Sequence, residues 1–338
     1  MKKLIRSFSL LLTVVLTLPL LTSCKFGGGD EKQIVWIYTS LYKDTVDDVQ
    51  KKLKEKFPEI EVQFFQAGSE EVAAKVSAEE LAGGTRADVL IFSDRFWFEE
   101  MAQKGRLLQF RPKRSELVPA GVKNADGFYS AVSYPVMVLV YNSDAISEQD
   151  APKTFKDLAN PKFKGKITTG SPLSSGTNFT TVAFLQKAYG WDYFKGLRAN
   201  DVISEGGNSA VQRRVETKER PIGWILLENF LRLKDTKLKV VFPEDGAILQ
   251  SNVLGIVQKD ATREPAQKIA DWFFSEEGQA AMTRSFMYAT VPGTSAPLGA
   301  KPQDELMKSV RPWSQDLVKE MMTNREAIKE EFAKIVLQ

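Results

Sequence analysis

Apolar and polar positions alternate along the chain with two periods. Ile34-Val35-Trp36-Ile37-Tyr38 is a nearly continuous apolar run, the pattern of a strand buried on both faces. From Asp44 the period changes: Val46, Val49, Leu53 and Phe57 fall on one helical face, and Pro58 closes it. Ile60 to Phe65 alternates as a second strand, Ser69 to Leu81 reads as a helix closed by Gly83-Gly84, and Ala87 to Phe92 is a third strand. A helix from Phe96 to Lys104 ends at Gly105. This β-α-β-α-β-α order predicts a parallel sheet with helices on both faces.

The middle of the chain changes character. Ser133 to Tyr141 reads as one unusually long strand that passes from one unit into another. A second α/β set follows: strands at Lys166–Thr169, Ile222–Leu227 and Leu238–Phe242, and helices at Thr177–Tyr189, Trp191–Arg198 and Asn208–Lys218. Ser251 to Val257 is long enough to cross back, and the tail reads as helical over Pro265–Thr283 and from Pro302 to the end. The expectation is α/β, a two-lobed fold whose second lobe is inserted in the first, with a hinge between. Lobe one covers 33–137 and 252–338, and lobe two covers 138–251. No internal repeat interrupts this order.

Composition removes several chemistries. Among 338 residues there is no histidine and one cysteine, which excludes disulfide scaffolds, Cys/His zinc sites and Ser-His or Cys-His catalysis. Ser40-Leu41-Tyr42-Lys43 has the Ser-x-x-Lys spacing of penicillin-recognising enzymes, but their Lys-Thr-Gly element is missing. No Gly-x-Ser-x-Gly elbow or phosphate-binding Walker loop occurs, so no enzyme is expected, and neither a cofactor nor a resident metal.

The first 23 residues set an address. Lys2, Lys3 and Arg6 precede an apolar stretch and then Leu21-Thr22-Ser23-Cys24, which resembles the lipobox of bacterial lipoproteins. That resemblance implies a signal peptide over 1–23, lipidation of Cys24, and a tether over 24–32 that holds the protein to a membrane of the periplasm or cell envelope. The leader's three cations account for the whole formal charge of +3, so the remainder is balanced. No broad basic field is left to engage nucleic acid.

Longer stretches carry a second resemblance. Asn160-Pro161-Lys162-Phe163-Lys164-Gly165-Lys166, Ser174-Ser175-Gly176-Thr177, Tyr193-Phe194-Lys195-Gly196-Leu197-Arg198, Gly207-Asn208-Ser209-Ala210-Val211 and Pro221-Ile222-Gly223-Trp224 follow one another at a spacing similar to the type II periplasmic binding proteins. More narrowly, the chain resembles the solute-binding proteins of ABC importers for ferric iron, phosphonates and sugar phosphates. The resemblance implies two lobes that close on a ligand and a closed form that docks on an ABC permease.

The candidate ligand residues come from the ends of elements. Thr39 and Ser40 follow the first strand, Ser93 follows the third, and Ser174, Ser175, Gly176 and Thr177 open a helix, as do Asn208 and Ser209. Free N–H groups and hydroxyls at helix starts bind anions, although the same residue types are ordinary N-caps. Arg95 and Arg213-Arg214 are the cations considered for neutralising such an anion. Glu228, after an apolar strand, is expected to face the cleft and read a donor-rich tail. The expected ligand is a small phosphorylated or phosphonate organic anion. Ferric iron or another metal complex is the alternative, and the resemblance weighs against iron: iron-binding relatives use tyrosinates after the Ile-Gly strand, where Gly223–Phe230 has none. A protein partner in place of a transported solute is the other alternative.

Overall fold

A computed structural model describes residues 32–261, 263–311 and 313–338. The leader and Cys24 lie outside the described residues. In chain order the strands are β1 (Gln33–Thr39), β2 (Ile60–Gln66), β3 (Val89–Phe92), β4 (Tyr129–Tyr134), β5 (Val136–Asn142), β6 (Ile167–Thr169), β7 (Ile203–Ser204), β8 (Ile222–Leu226), β9 (Leu238–Val241), β10 (Ile248–Leu249), β11 (Asn252–Ile256) and β12 (Tyr288–Ala289). The helices are α1 (Lys43–Lys56), α2 (Ser69–Leu81), α3 (Arg95–Gln103), α4 (Gly176–Ala199), α5 (Asn208–Glu216), α6 (Leu227–Leu231), α7 (Arg263–Phe274), α8 (Glu276–Arg284), α9 (Gln303–Met307), α10 (Gln315–Thr323) and α11 (Arg325–Phe332). Among the described residues no helix is long and apolar enough to cross a membrane.

Two sheets organise two lobes. The first runs β12-β4-β11-β3-β1-β2, and the second runs β10-β5-β8-β6-β7 with β9 also on β5. β1 is parallel to β2 and β3, as the β-α-β order requires, but β11 lies antiparallel to both β3 and β4. The first sheet is therefore mixed, because the return strand enters from the other lobe and not through a crossover helix. On α1 the expected stripe of Val46, Val49 and Leu53 is buried against this sheet.

The expected single strand over 133–141 is two strands in different sheets. Pro135 lies between β4 and β5, and without an N–H it cannot continue a ladder. The chain returns at Gln250-Ser251, where the Gln250 N–H donates to the Pro135 carbonyl at 2.8 Å. The helix expected over Pro265–Thr283 breaks at Ser275, whose hydroxyl accepts from the Gly278 N–H and caps α8. The tail divides into α9, α10 and α11. Val318, Met321, Ile328 and Phe332 bury themselves in the apolar cluster of the second lobe, where Phe332 meets the Phe194 ring edge-on at 5.6 Å. This apolar stripe packs on α4, so the last helices cover the second lobe although the chain has already returned to the first sheet.

Candidate functional site

Five helices of nine residues or more begin at one cleft between the lobes. Tyr42, Gly68, Ser175 and Gly207 are the N-cap residues of α1, α2, α4 and α5, and Ser93 directly precedes the N-cap of α3. All five residues line a cavity of about 420 Å³. The N-caps of α1, α2 and α5 make no side-chain capping bond. Strand ends deliver these starts: β1, β2 and β3 stop at the same edge of a parallel set, and the following helices turn back from it. The partial positive charge at each helix start therefore sums in one place.

The cleft gathers most of the residues expected from sequence. Ser40, Ser93, Ser174, Ser175, Thr177, Asn208, Ser209 and Glu228 all line it. Thr39 does not reach it. Its hydroxyl donates to the Ile91 carbonyl at 2.7 Å and accepts from the Leu41 N–H at 3.0 Å, which fixes the turn after β1. Gly176 also stays out of the lining and has another duty: a Cβ there would lie 2.0 Å from the Ser93 carbonyl oxygen of the opposite lobe. Arg95 is buried, donates to the Gly121 carbonyl and stacks on Trp313 at 5.0 Å, while Arg214 is held by Glu205. Neither supplies a cleft cation. Sequence reasoning missed Ser69, Glu71 and Asn252, which also line the cavity. Gly68-Ser69 after an alternating strand was the same signal as the others.

A hydrogen-bonded chain gives the second-lobe wall a direction. The Trp224 indole can only donate, and it donates to Asn178 Oδ1 at 2.8 Å. Asn178 Nδ2 must then donate, to Ser175 Oγ at 3.1 Å and to Asn208 Oδ1 at 3.3 Å. Ser175 Oγ also accepts from the Asn178 N–H at 3.4 Å, so its lone pairs are used and it donates to Thr177 Oγ1 at 3.1 Å. Thr177 Oγ1 accepts a second bond from Asn208 Nδ2 at 3.0 Å. The proton left over at the end of the chain is that of the Thr177 hydroxyl, which faces the cleft. A wall so ordered offers donors, which suits an anion.

Glu228 is almost fully buried at the base of the cleft. Burial raises its pKa to about 7; the nearby Arg232 charge and the N–H groups of Glu228 and Val136 pull the other way. Tyr42, beside it, is pushed well up by burial and by the Glu228 charge. Its hydroxyl bonds Asn229, and the Arg232 guanidinium lies 4.4 Å from its ring centre.

The lobes meet on both sides of the cleft. On one side Arg232, the C-cap of α6, reaches Asp44 at 3.0 Å and the Ser285 carbonyl at 2.8 Å. On the other, Arg325 of α11 bonds Glu70 at 2.8 Å and Asp94 at 2.5 Å, and Lys329 adds a 2.7 Å bond to Glu70. Glu70 and Asp94 directly follow the cleft residues Ser69 and Ser93.

Comparison with known proteins is consistent with this geometry. The profile of a family described as bacterial extracellular solute-binding protein matches residues 85–312. A probable ABC transporter periplasmic-binding protein of Sinorhizobium fredii is 23% identical over 238 residues, covering 67% of this chain and 66% of its own. Iron-bound HitA of Pseudomonas aeruginosa superimposes with a TM-score of 0.77 at 23% identity, over 88% of this chain and 99% of HitA. AfuA of Actinobacillus pleuropneumoniae, with exogenous fructose-6-phosphate bound, gives 0.79 at 21% identity, over 90% and 99%. At these identities the two structures show a shared fold.

Proposed function

Since the chain belongs to the bacterial extracellular solute-binding proteins, we propose that it is the solute-capturing component of an ABC importer, held to the membrane by a lipid on Cys24, and that it closes on a small phosphorylated or phosphonate-bearing organic anion. The observation that carries this reading is the convergence of five helix starts with a wall polarised toward donation at Thr177. Ser40, Ser93, Ser175, Thr177, Asn208 and Ser209 hold the anion in this reading, with Ser174 at the rim, and Glu228 meets the rest of the molecule. Because the ligand touches both lobes, it favours the closed form that the permease accepts.

Donor chemistry favours this ligand over ferric iron. A hard cation needs several anionic oxygens. One tyrosine, Tyr42, lines the cleft, and its raised pKa opposes the tyrosinate form. Among the described residues no cluster of three His, Cys, Asp or Glu side chains is placed to hold a metal.

The test is a thermal-shift screen of the full-length chain with sugar phosphates, phosphonates, glycerol phosphates, inorganic phosphate and ferric citrate. A compound at 100 times its Kd adds about 2.7 kcal/mol of stability, a readable rise in Tm. A rise with an organic phosphate or phosphonate that Thr177→Val reduces supports the reading. A rise with ferric citrate alone replaces it with iron, and silence throughout moves the site to another solute class.

A further inference from the structure

Among the described residues three buried polar side-chain atoms lack a hydrogen-bond partner: Arg95 Nε, Ser130 Oγ and Arg220 Nε. The first two belong to residues held against one segment of the first lobe, 110–127. Arg95 bonds the Gly121 carbonyl, and Ser130 of β4 forms an isolated bridge with Lys123. A hydroxyl shut away from water without a partner destabilises a fold, so its presence asks for an explanation.

Ser130 lies on the wall of a second cavity, of about 200 Å³, with Arg111, Lys113, Glu116, Lys123 and Tyr129. This space is separate from the cleft. Asn252, which lines the cleft, pairs with Ser133, whereas Tyr129 pairs with Gly255 at the other end of the same ladder, about 13 Å along the strand. Backbone bonds close the frame: the Phe110 N–H donates to the Gly127 carbonyl and the Asn124 N–H to the Tyr129 carbonyl, both at 3.0 Å. Arg111 lies across Gly127, where a Cβ would fall 2.8 Å from Arg111 Cγ.

The cations here lack counter-charges. Arg111 donates to the Ala125 carbonyl at 2.6 Å, and Lys123 to the Ser115 and Glu116 carbonyls at 3.1 and 2.8 Å. Neither forms an ion pair with a described residue, whereas Lys113 is paired with Asp271 at 3.5 Å. Arg95 is buried, also without an ion pair among the described residues, and its charge acts on Tyr129 of the cavity wall. Burial and then the Arg111 charge push the Lys123 pKa down, and Glu116, the one carboxylate on the wall, only partly offsets them.

We propose that this cavity is an anion site distinct from the cleft, for a dissolved tetrahedral dianion of the phosphate or sulfate class, with Arg111 and Lys123 holding the charge and the Ser130 hydroxyl donating from the wall. Two of the three Lys123 N–H groups go to carbonyls, which leaves one for the anion. A dianion answers both cations at once and gives Ser130 an acceptor. The cavity is smaller than the roughly 300 Å³ at which pockets for drug-sized ligands begin, which suits an ion.

The test titrates phosphate and sulfate calorimetrically into the full-length chain, at an ionic strength held constant with chloride, and follows urea unfolding in the same buffers. At least one dianion is expected to bind, and Arg111→Gln or Lys123→Gln to weaken it about tenfold. Ser130→Ala supplies a readout that a structural hydroxyl would not give: the variant is expected to be more stable than the parent in chloride alone, yet to gain less from the dianion. Lower stability of Ser130→Ala with binding intact overturns the role of that hydroxyl. Phosphate binding that Thr177→Val abolishes and the other three variants leave unchanged belongs to the cleft and overturns this site. If neither dianion binds above the chloride background, the site falls and the cleft reading stands on its own test.

Discussion

The Tyr42 hydroxyl donates to Asn229 Oδ1 at 2.7 Å, joining the first lobe to the second beside the cleft. Asn229 is buried and Tyr42 half-buried, so the bond is a gain that parting of the lobes gives up. Tyr42→Phe leaves the Asn229 oxygen without that donor at a cost of about 1 kcal/mol. The expected outcome is a larger radius of gyration for the ligand-free chain in small-angle scattering. An unchanged radius means the bond does not bias closure.

Gly176→Ala tests closure by steric means. The new Cβ would sit 2.0 Å from the Ser93 carbonyl oxygen, a backbone atom that cannot swing aside. The lobes must part for it, and the cleft residues of α4 move away from those of α3. Affinity for the best organic phosphate of the thermal-shift screen is expected to fall at least tenfold, while the far-ultraviolet dichroism stays native. Retained affinity shows that binding does not need this degree of closure.

Arg325→Met removes the cation between Glu70 and Asp94. Lys329 remains for Glu70, but Asp94, whose side chain is fully buried, keeps only the N–H of Trp97. Loss of one partner from a buried pair costs about 3 kcal/mol. Urea denaturation should show that loss, and Asp94→Asn in the same chain should restore part of it. If the double variant is no better than the single one, the pair is not the source.

Glu228 gives stability a pH signature. Its pKa in the folded chain is about 7, against 4.5 for an unperturbed glutamate, so between these values the folded chain holds a proton that the unfolded chain releases. The contribution is fully present below pH 4.5 and is lost as pH rises through 7, amounting to about 3 kcal/mol in all. Glu228→Gln should therefore be more stable relative to the parent at pH 8 than at pH 5, in the absence of ligand. A constant difference between the two chains across this range contradicts the assignment.

The fold was legible where one physical signal dominated. β1 and β3 announce themselves as apolar runs, and α1 as a 3.6-residue stripe. Pro135 was the harder case: apolar residues on both sides hid a change of sheet that the missing N–H brings about. At Ser275 the helical period continues in phase, and the break comes from a local cap. The helix expected to end at Gly190 does break there: α4 is two helical stretches joined by a kink at Gly190, whose φ of 71° lies outside helical geometry. In the site, hydroxyls at element ends were visible because capping and anion binding ask for the same residues. Their division was not. Thr39 and Ser40 are neighbours, yet one faces inward to Ile91 and the other lines the cleft. The direction of the Asn178 and Asn208 amides depends on Trp224, 46 residues from Asn178, a contact that no local pattern reports.

At the crossing between the lobes, the Gln250 N–H donates to the Pro135 carbonyl, and proline offers no N–H in return. A rotation pivoting there has short and long lever arms. Glu228, bonded to the N–H of Val136, stands beside the pivot and travels little. Ser69 and Asn208 stand on the starts of helices that swing with their lobes. With such a pivot the base of the cleft would keep one geometry whether the jaws are apart or together, and under the proposed function a solute would meet Glu228 before the helix starts enclose it.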